Sequence, residues 1–338
     1  MVSMKDIATK CGVSVATVSK ALSGQPDIGE EKRGEIKATA KEMGYLANSA
    51  ARALRTHRTY NIGVLFVDGE NSGLTHEFFN EVLDSFKVEA ESMGYDLTFI
   101  NRNISGKQMS YLQHCRYRGV DGVVIACVSF DDEQVLELVD SGIPIVTIDH
   151  VFDNKPAVVS DNTKGMSELV KYAYSKGHRK IAYIYGNPSA VTTNRKEGFI
   201  SQCRELGLDV PPEYIRESIY RHPKESVTIA RELLKSGNPP TCLMFSEDYT
   251  ASFVANMLKE DGYSIPEDVS VIGYDDSFMA RLSTPRLTTF HQDTDGMGRI
   301  AAKKLVEQIE HPKTANTEEV TVPGYLVEGK SVAEISKN

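Results

Sequence analysis

Over the first 45 residues, apolar positions recur at the three- and four-residue spacing of short helices; from Asn61 onward they come in solid runs separated by helical stretches. Ser3, followed three residues later by Asp6, reads as a capping box opening a helix from Met4 to Cys11, which Gly12 ends. Val13 and Ser14 turn the chain, Ser14 caps a second helix from Val15 to Leu22, and Gly24 closes it. Ile7, Ala8, Val13, Val18 and Leu22 supply the apolar contacts that pack two such helices across a tight turn. A third helix, about Glu30 to Met43, ends at Gly44, where a left-handed C-cap is wanted. Helix, tight turn, helix and a supporting helix make the pattern of a helix-turn-helix DNA-binding module.

Beyond Asn61, the strand-like runs IGVLFVD, DLTFINRN, GVVIACV and PIVTIDH alternate with helical stretches such as FFNEVLDSFKVEAESMG and DEQVLELVDSG. After Asp161 the alternation resumes with KIAYIYG, YIRESIY, TCLMFSE, VSVIGYDD and LTTFHQD. Strands alternating with helices predict doubly wound parallel sheets. These strands are too many for one small sheet, and the join near Asp161 has no long flexible linker, so two lobes hinged around a cleft are expected. The predicted fold class is α/β: a helix-turn-helix head on a two-lobed core. Its expected divisions are a head over 1–46, a linker over 47–60, one lobe over 61–160 and 291–322, and the other over 161–290 and 323–338.

Charge sharpens that division. The 338-residue chain carries a net charge of −9, yet residues 1–60 hold ten Lys or Arg against six acids, which makes +4 there and leaves −13 for the rest. A small basic head on an acidic body suggests a polyanion partner for the head. The five cysteines are odd in number, scattered and free of any C-x-x-C spacing, so neither a disulfide framework nor a metal site is expected. With no apolar signal stretch and no membrane-length apolar run, the expected location is the cytoplasm.

One feature of the second helix is unusual: GVSVATVSKALSG spends its outward positions on Val15 and Ala16 rather than on charges. Either they pack on the third helix or they lie against something that small apolar groups fit. The stretch MKDIATKCGVSVATVSKALSG, followed by GYLANSAARALRTHRTYNIGVL and, far downstream, VSVIGYDDS and LTTFHQD, resembles the LacI/GalR family of bacterial transcription repressors in order and spacing. The resemblance implies a homodimer that binds a palindromic operator and is switched by a small effector held between two lobes like those of a periplasmic sugar-binding protein.

A recognition helix entering the major groove needs a slim leading edge. Val15 and Ala16 suit a thymine methyl, and Lys20, one turn on, can reach a guanine edge or a phosphate. Ser14, Thr17 and Ser19 suit phosphates. By the resemblance, NSAARALRTHRT is a hinge helix that forms on DNA; Leu54 matches the leucine pushed into the minor groove, with Asn48, Ala51, Arg52 and Arg55 around it. A short isolated helix is marginal in water, and an inserted apolar wedge unstacks a base step, so coupling its folding to the duplex is physically sensible. The family's usual proline is replaced by Ala47.

Ligands of doubly wound sheets bind beyond the carboxyl ends of the strands. Asp149 ends PIVTID, Asp275 ends VSVIGYD, Glu247 and Asp248 follow TCLMFS, and Arg195 opens a helix. Such carboxylates and a guanidinium can grip vicinal hydroxyls while Phe78 or Phe79 faces a ring. The resemblance adds weight to Arg195 and Asp275, and His76, Tyr220 and Thr294 are placed in the same cleft. Strand-end aspartates also cap helices, the reading expected for Asp276 and weighed for Asp149. The constellation favours a sugar or sugar phosphate, with a purine-like ligand or a protein co-regulator as alternatives.

An enzyme is disfavoured. GMGRIA at 296–301 matches a dinucleotide fingerprint only inside an ordinary helical period, and there is no nucleophile elbow or P-loop. No cofactor is expected. A solute-capture protein would share the two lobes but lack the head.

Overall fold

The computed structural model describes residues 2–45, 58–67, 73–104 and 106–335, and the chain divides into two compact units, Met1–Thr59 and Tyr60–Asn338. Ala47, Asn48, Ala51, Arg52, Leu54 and Arg55, the expected hinge, lie outside the described residues.

In the first unit, α1 (Met4–Cys11), α2 (Val15–Leu22) and α3 (Glu30–Glu42) enclose Ile7, Ala8, Cys11, Val18, Ala21, Ile36 and Ala40. The Ser3–Asp6 capping box is formed, Gly12 ends α1 at φ 65°, and the Ser14 hydroxyl accepts from the Thr17 amide at 3.0 Å. Val18 is fully buried, and Leu22 packs half-buried on the same core.

The second unit holds strands β1 (Asn61–Phe66), β2 (Asp96–Phe99), β3 (Asn103–Ile104), β4 (Lys107–Gln108), β5 (Gly122–Ala126), β6 (Ile145–Ile148) and β7 (Ala157–Ser160). It continues with β8 (Ile181–Tyr185), β9 (Ile215–Glu217), β10 (Cys242–Phe245), β11 (Ser270–Ile272), β12 (Thr289–His291), β13 (Val320–Val322) and β14 (Tyr325–Val327). Its helices are α4 (Glu77–Ser92), α5 (Tyr111–Arg118), α6 (Glu133–Val139), α7 (Asn162–Ser175), α8 (Ala190–Glu205), α9 (Pro223–Leu234), α10 (Asp248–Glu260), α11 (Phe278–Leu282) and α12 (Thr294–Glu310).

The first lobe is a parallel sheet in the order β13-β7-β6-β5-β1-β2, and the second a parallel sheet in the order β11-β10-β8-β9. Every residue of β5, β6 and β10 is buried, as expected of strands covered on both faces, and this is why GVVIA, IVTI and CLMF read as unbroken apolar runs. The chain passes between lobes three times: after β7, between β12 and α12, and between β13 and β14. The run VTVPGYLV, which reads as one strand, is therefore two. Pro323 cannot extend a sheet ladder, and Gly324 passes so near His291 that a Cβ would lie 2.2 Å from its carbonyl oxygen.

Gly296 and Gly298 of GMGRIA sit in the first turns of α12. A Cβ on Gly298 would lie 2.0 Å from Ser85 Oγ and 2.2 Å from the Val82 carbonyl oxygen, so this glycine lets α12 and α4 approach closely.

The second lobe is strapped by residues 329–335. Val271 N–H donates to the Ser331 carbonyl (2.9 Å), Ala333 N–H to Ser270 Oγ (2.9 Å) and Ile335 N–H to the Lys176 carbonyl (2.7 Å). Under the strap lies His178, buried, with Nδ1 2.8 Å from Thr241 Oγ1. Burial pushes its pKa down to about 4. The imidazole is thus held neutral, and its contribution to stability is present above its unfolded value near 6.5 and is lost as pH falls from there towards 4. Wild type should lose about 2 kcal/mol at pH 5 from this group alone. Melting curves from pH 7.5 to 5 should therefore fall more steeply for wild type than for His178→Gln; parallel curves would refute the assignment.

A cleft lined by aromatics on one side and hydrogen-bonding groups on the other

The carboxyl ends of both sheets face a cavity of about 380 Å³, within the range of small-ligand sites. The first lobe gives it a mainly aromatic and apolar wall that also carries the Asp149 carboxylate. Phe79 stands edge-on to Phe78 (centroids 5.0 Å), His76 (4.9 Å) and Phe66 (5.9 Å), and Phe130 is stacked on His150 at 4.0 Å with 6° between planes. The second lobe gives it Asn187, Ser189, Arg195, Tyr220, Arg221, Ser246, Glu247 and Asp275, joined by Gln292.

Arg195 is the centre of the polar wall and is 4% exposed. Its Nε donates to Asn162 Oδ1 at 2.7 Å, Nη1 donates to the Ser246 carbonyl, Nη2 lies 3.9 Å from Asp275 Oδ1, and the guanidinium stacks 3.7 Å over the Tyr274 ring. Burial opposes its charge, but the surrounding tyrosine oxygens and Asp275 outweigh that and keep it cationic. Asp275 accepts from Gln292 Nε2 at 2.6 Å, and burial pushes its carboxyl well above the ordinary range despite Arg195. Burial raises Asp149 to about 6, with the Ser160 amide (2.9 Å) and Arg195 opposing the rise. Glu247 is likewise raised by burial; it accepts from Thr250 Oγ1 and the Arg221 amide, both at 2.7 Å.

Tyr220 is positioned by a close approach. Its ring lies on Gly186, where a Cβ would be 2.3 Å away, and its hydroxyl meets Thr192 Oγ1 at 3.1 Å. Cys127, Asp149, Arg221 and Asp275, all on the cavity wall, have positive φ (53°, 55°, 58° and 112°). Strained backbone of this kind costs about 1–3 kcal/mol per residue and gathers where a site demands it.

Of the residues expected in the cleft, the structure brings His76, Phe78, Phe79, Asp149, Arg195, Tyr220, Glu247 and Asp275 together. Asp248 and Thr294 are corrections. Glu247 is the N-cap of α10, and the next residue turns back into the lobe: Asp248 is fully buried and accepts from Thr289 Oγ1 (2.7 Å) and Ser277 N–H (2.8 Å). Thr294 starts α12 on the first lobe and donates to Glu81 (2.9 Å). Neither aspartate weighed as a helix cap serves as one. Asp149 accepts from Ser160 of a neighbouring strand, and Ser277, not Asp276, caps α11, while Asp276 lies 3.1 Å from His291 Nδ1. His150, Asn187, Ser246 and Gln292, each within two residues of the end of β6, β8, β10 or β12, were missed although the strand-end rule reaches them; Phe130 and Arg221 lie four residues beyond β5 and β9, further along their loops.

On the head, Ser14, Val15, Ala16 and Lys20 form the exposed face of α2, with Thr17 and Ser19 half-buried at its margins. Val15 is 45% exposed, so the apolar leading edge is not spent on packing.

Comparison with known proteins agrees with both parts. Residues 3–48 match the model of bacterial regulatory proteins of the lacI family, and 170–332 match a periplasmic binding protein-like domain. The HTH-type transcriptional repressor PurR of Serratia proteamaculans (strain 568) is 30% identical over 340 residues, covering 99% of this chain and 98% of that one. A structure of the Lac repressor dimer bound to operator and the anti-inducer ONPF superposes with a TM-score of 0.83 at 22% identity, covering 98% and 99% of the two chains. A LacI family regulator from Enterococcus faecium with bound ribose gives 0.70 at 28% identity, covering 82% and 100%.

Proposed function

The chain belongs to the LacI family of bacterial regulatory proteins and is a DNA-binding transcription repressor with a small-molecule effector, and we propose that this effector is a neutral sugar held between the two lobes. The carrying observation is the division of the cavity into an aromatic wall and a wall of hydrogen-bonding groups centred on Arg195 and Asp275. A sugar ring presents exactly such a pair of surfaces: apolar C–H faces for Phe78, Phe79 or Phe130, and an equatorial belt of hydroxyls for carboxylates and a guanidinium. A phosphate fits less well. The Arg195 guanidinium is already engaged by Asn162, Ser246 and Asp275, Arg221 stacks at 4.6 Å on Tyr249, and three carboxylates, Glu247 and Asp275 of the second lobe and Asp149 of the first, line the same cavity as these two arginines. The flat Phe130–His150 stack supports a second reading, a nucleobase. Thermal-shift screening of sugars, sugar phosphates and nucleobases separates the two; stabilisation by bases alone would overturn the sugar reading.

The head over 1–46 is proposed to place α2 in the major groove, with Val15 and Ala16 on thymine methyls, Lys20 on a base edge, and Ser14, Thr17 and Ser19 on phosphates. The linker 47–60 is proposed to carry the wedge Leu54. The lobes are assigned as 61–160 with 291–322, and 161–290 with 323–338. A second copy of the chain is proposed to cover the exposed apolar row Phe278 (62%), Met279 (39%) and Leu282 (65%) on α11, giving a homodimer on a palindromic operator. Among the described residues no helix is long and apolar enough to cross a membrane, and a protein working on DNA belongs in the cytoplasm.

Gel shifts over a salt series test the head: log affinity for operator should fall by about 0.9 per phosphate neutralised for each unit of log salt. Leu54→Ala should weaken specific binding far more than nonspecific binding, because only a bent operator accepts the wedge. Equal losses in both would contradict the wedge.

A further inference from the structure

Lys20 lies on the exposed face of α2, one turn beyond Ala16, and its Nζ is 2.5 Å from Asp27 Oδ2. Asp27 sits in the connection between α2 and α3, and that connection is clamped. Arg33 of α3 donates from Nη2 to the carbonyls of Gln25 (3.0 Å) and Ile28 (2.7 Å), one on either side of Pro26-Asp27. Pro26 restricts the backbone between them, and Ile28 packs on the head core. The side chains of the ion pair are 51% and 49% exposed, so it adds little to stability. A loop fixed to present a carboxylate at this spot calls for another explanation.

An ammonium has three N–H donors, and Asp27 occupies one of them. The remaining two issue from a fixed position on the face of α2. In the major groove, guanine offers two neighbouring acceptors, N7 and O6, and the N4 donor of the paired cytosine lies one Watson–Crick hydrogen bond, about 2.9 Å, from O6. Two donors beside an acceptor complement that edge. We propose that Lys20 and Asp27 form one composite reader of a G·C pair, Lys20 donating to guanine N7 and O6 and Asp27 accepting from cytosine N4 on the opposite strand. An A·T pair interposes the adenine N6 donor between its two acceptors, so the same arrangement meets a mismatch. The carboxylate is repelled by the phosphates of any duplex that does not offer N4, which turns it against wrong sequences. The inference rests on the head being a DNA reader with α2 in the major groove.

Selection from a randomised duplex library with the full-length chain tests it, followed by gel shifts on the best duplex and its single-pair variants. Wild type should select one invariant G·C pair per half-site. Lys20→Ala and Asp27→Ala should each reduce the preference for that pair over A·T by about tenfold. Both should leave the base preferences at the other positions unchanged, and the double variant should add nothing further. If Asp27→Ala keeps the preference that Lys20→Ala loses, or raises affinity for all duplexes alike, Asp27 is a bystander charge and the composite reader is overturned. A wild-type chain that enriches no sequence would remove the DNA-reading assignment itself, and this inference with it.

Discussion

Replacing Arg195 with alanine is expected to abolish the response to effector while leaving operator binding in place. The guanidinium joins Asn162, the Ser246 carbonyl and Asp275 across the polar wall, with Tyr274 beneath it. A ligand hydroxyl bound to this group makes charge-assisted hydrogen bonds of about 1.5–3 kcal/mol each, so losing two of them lowers effector affinity by at least about 100-fold. Removing one member of a buried pair costs a protein about 3–5 kcal/mol when the other charge stays behind. Here the cost is smaller, because Asp275 already binds its proton more tightly than an ordinary carboxyl and can neutralise itself. The core should therefore remain folded. Titrating effector into Arg195→Ala by calorimetry, with gel shifts on operator in its presence and absence, checks both halves; a normal response would show that the effector sits elsewhere. Asp275→Asn, which keeps the side-chain volume, serves as the second variant and should also blunt the response.

Gly298→Ala is expected to be severely destabilising. An alanine in a helix normally gains about 1 kcal/mol over glycine. At this position the added methyl would meet Ser85 Oγ at 2.0 Å, the Val82 carbonyl oxygen at 2.2 Å and the Phe86 nitrogen at 2.7 Å. Two of these belong to the backbone of α4 and cannot swing aside, so the helices must part over a core that includes Met297, Ala301 and Phe86. Overpacking of this severity costs about 3 kcal/mol, enough to outweigh the propensity gain and lower the melting temperature by several degrees. Gly34→Ala is the contrasting substitution: in α3, with nothing within 4 Å of its added Cβ, it should stabilise the head. A melting temperature for Gly298→Ala at or above that of wild type would rule out the close approach.

The sequence was most legible where one physical signal dominates. Helix caps such as Ser3–Asp6 and Ser14 are local, and the strands buried on both faces announce themselves as apolar runs. β7 was missed because AVVS is short and follows a proline, and it becomes a strand only between β6 and β13. The strand-end rule located Asp149, Glu247 and Asp275 but could not resolve the one-residue parity that sends Glu247 to the cavity and Asp248 into the lobe. Arg221 reaches the wall by a left-handed backbone that no periodicity encodes. The Lys20–Asp27 pair spans two elements, and neither residue alone signals it.

The triple passage of the chain between the lobes has an evolutionary corollary. Neither lobe is a continuous stretch of gene, so no single recombination event can lift out one half of the sensor and replace it with another. The head is one uninterrupted stretch, so it can be exchanged whole. Such a protein can acquire a new address on the chromosome in one step, whereas a new signal has to be learned by point substitution within the cleft.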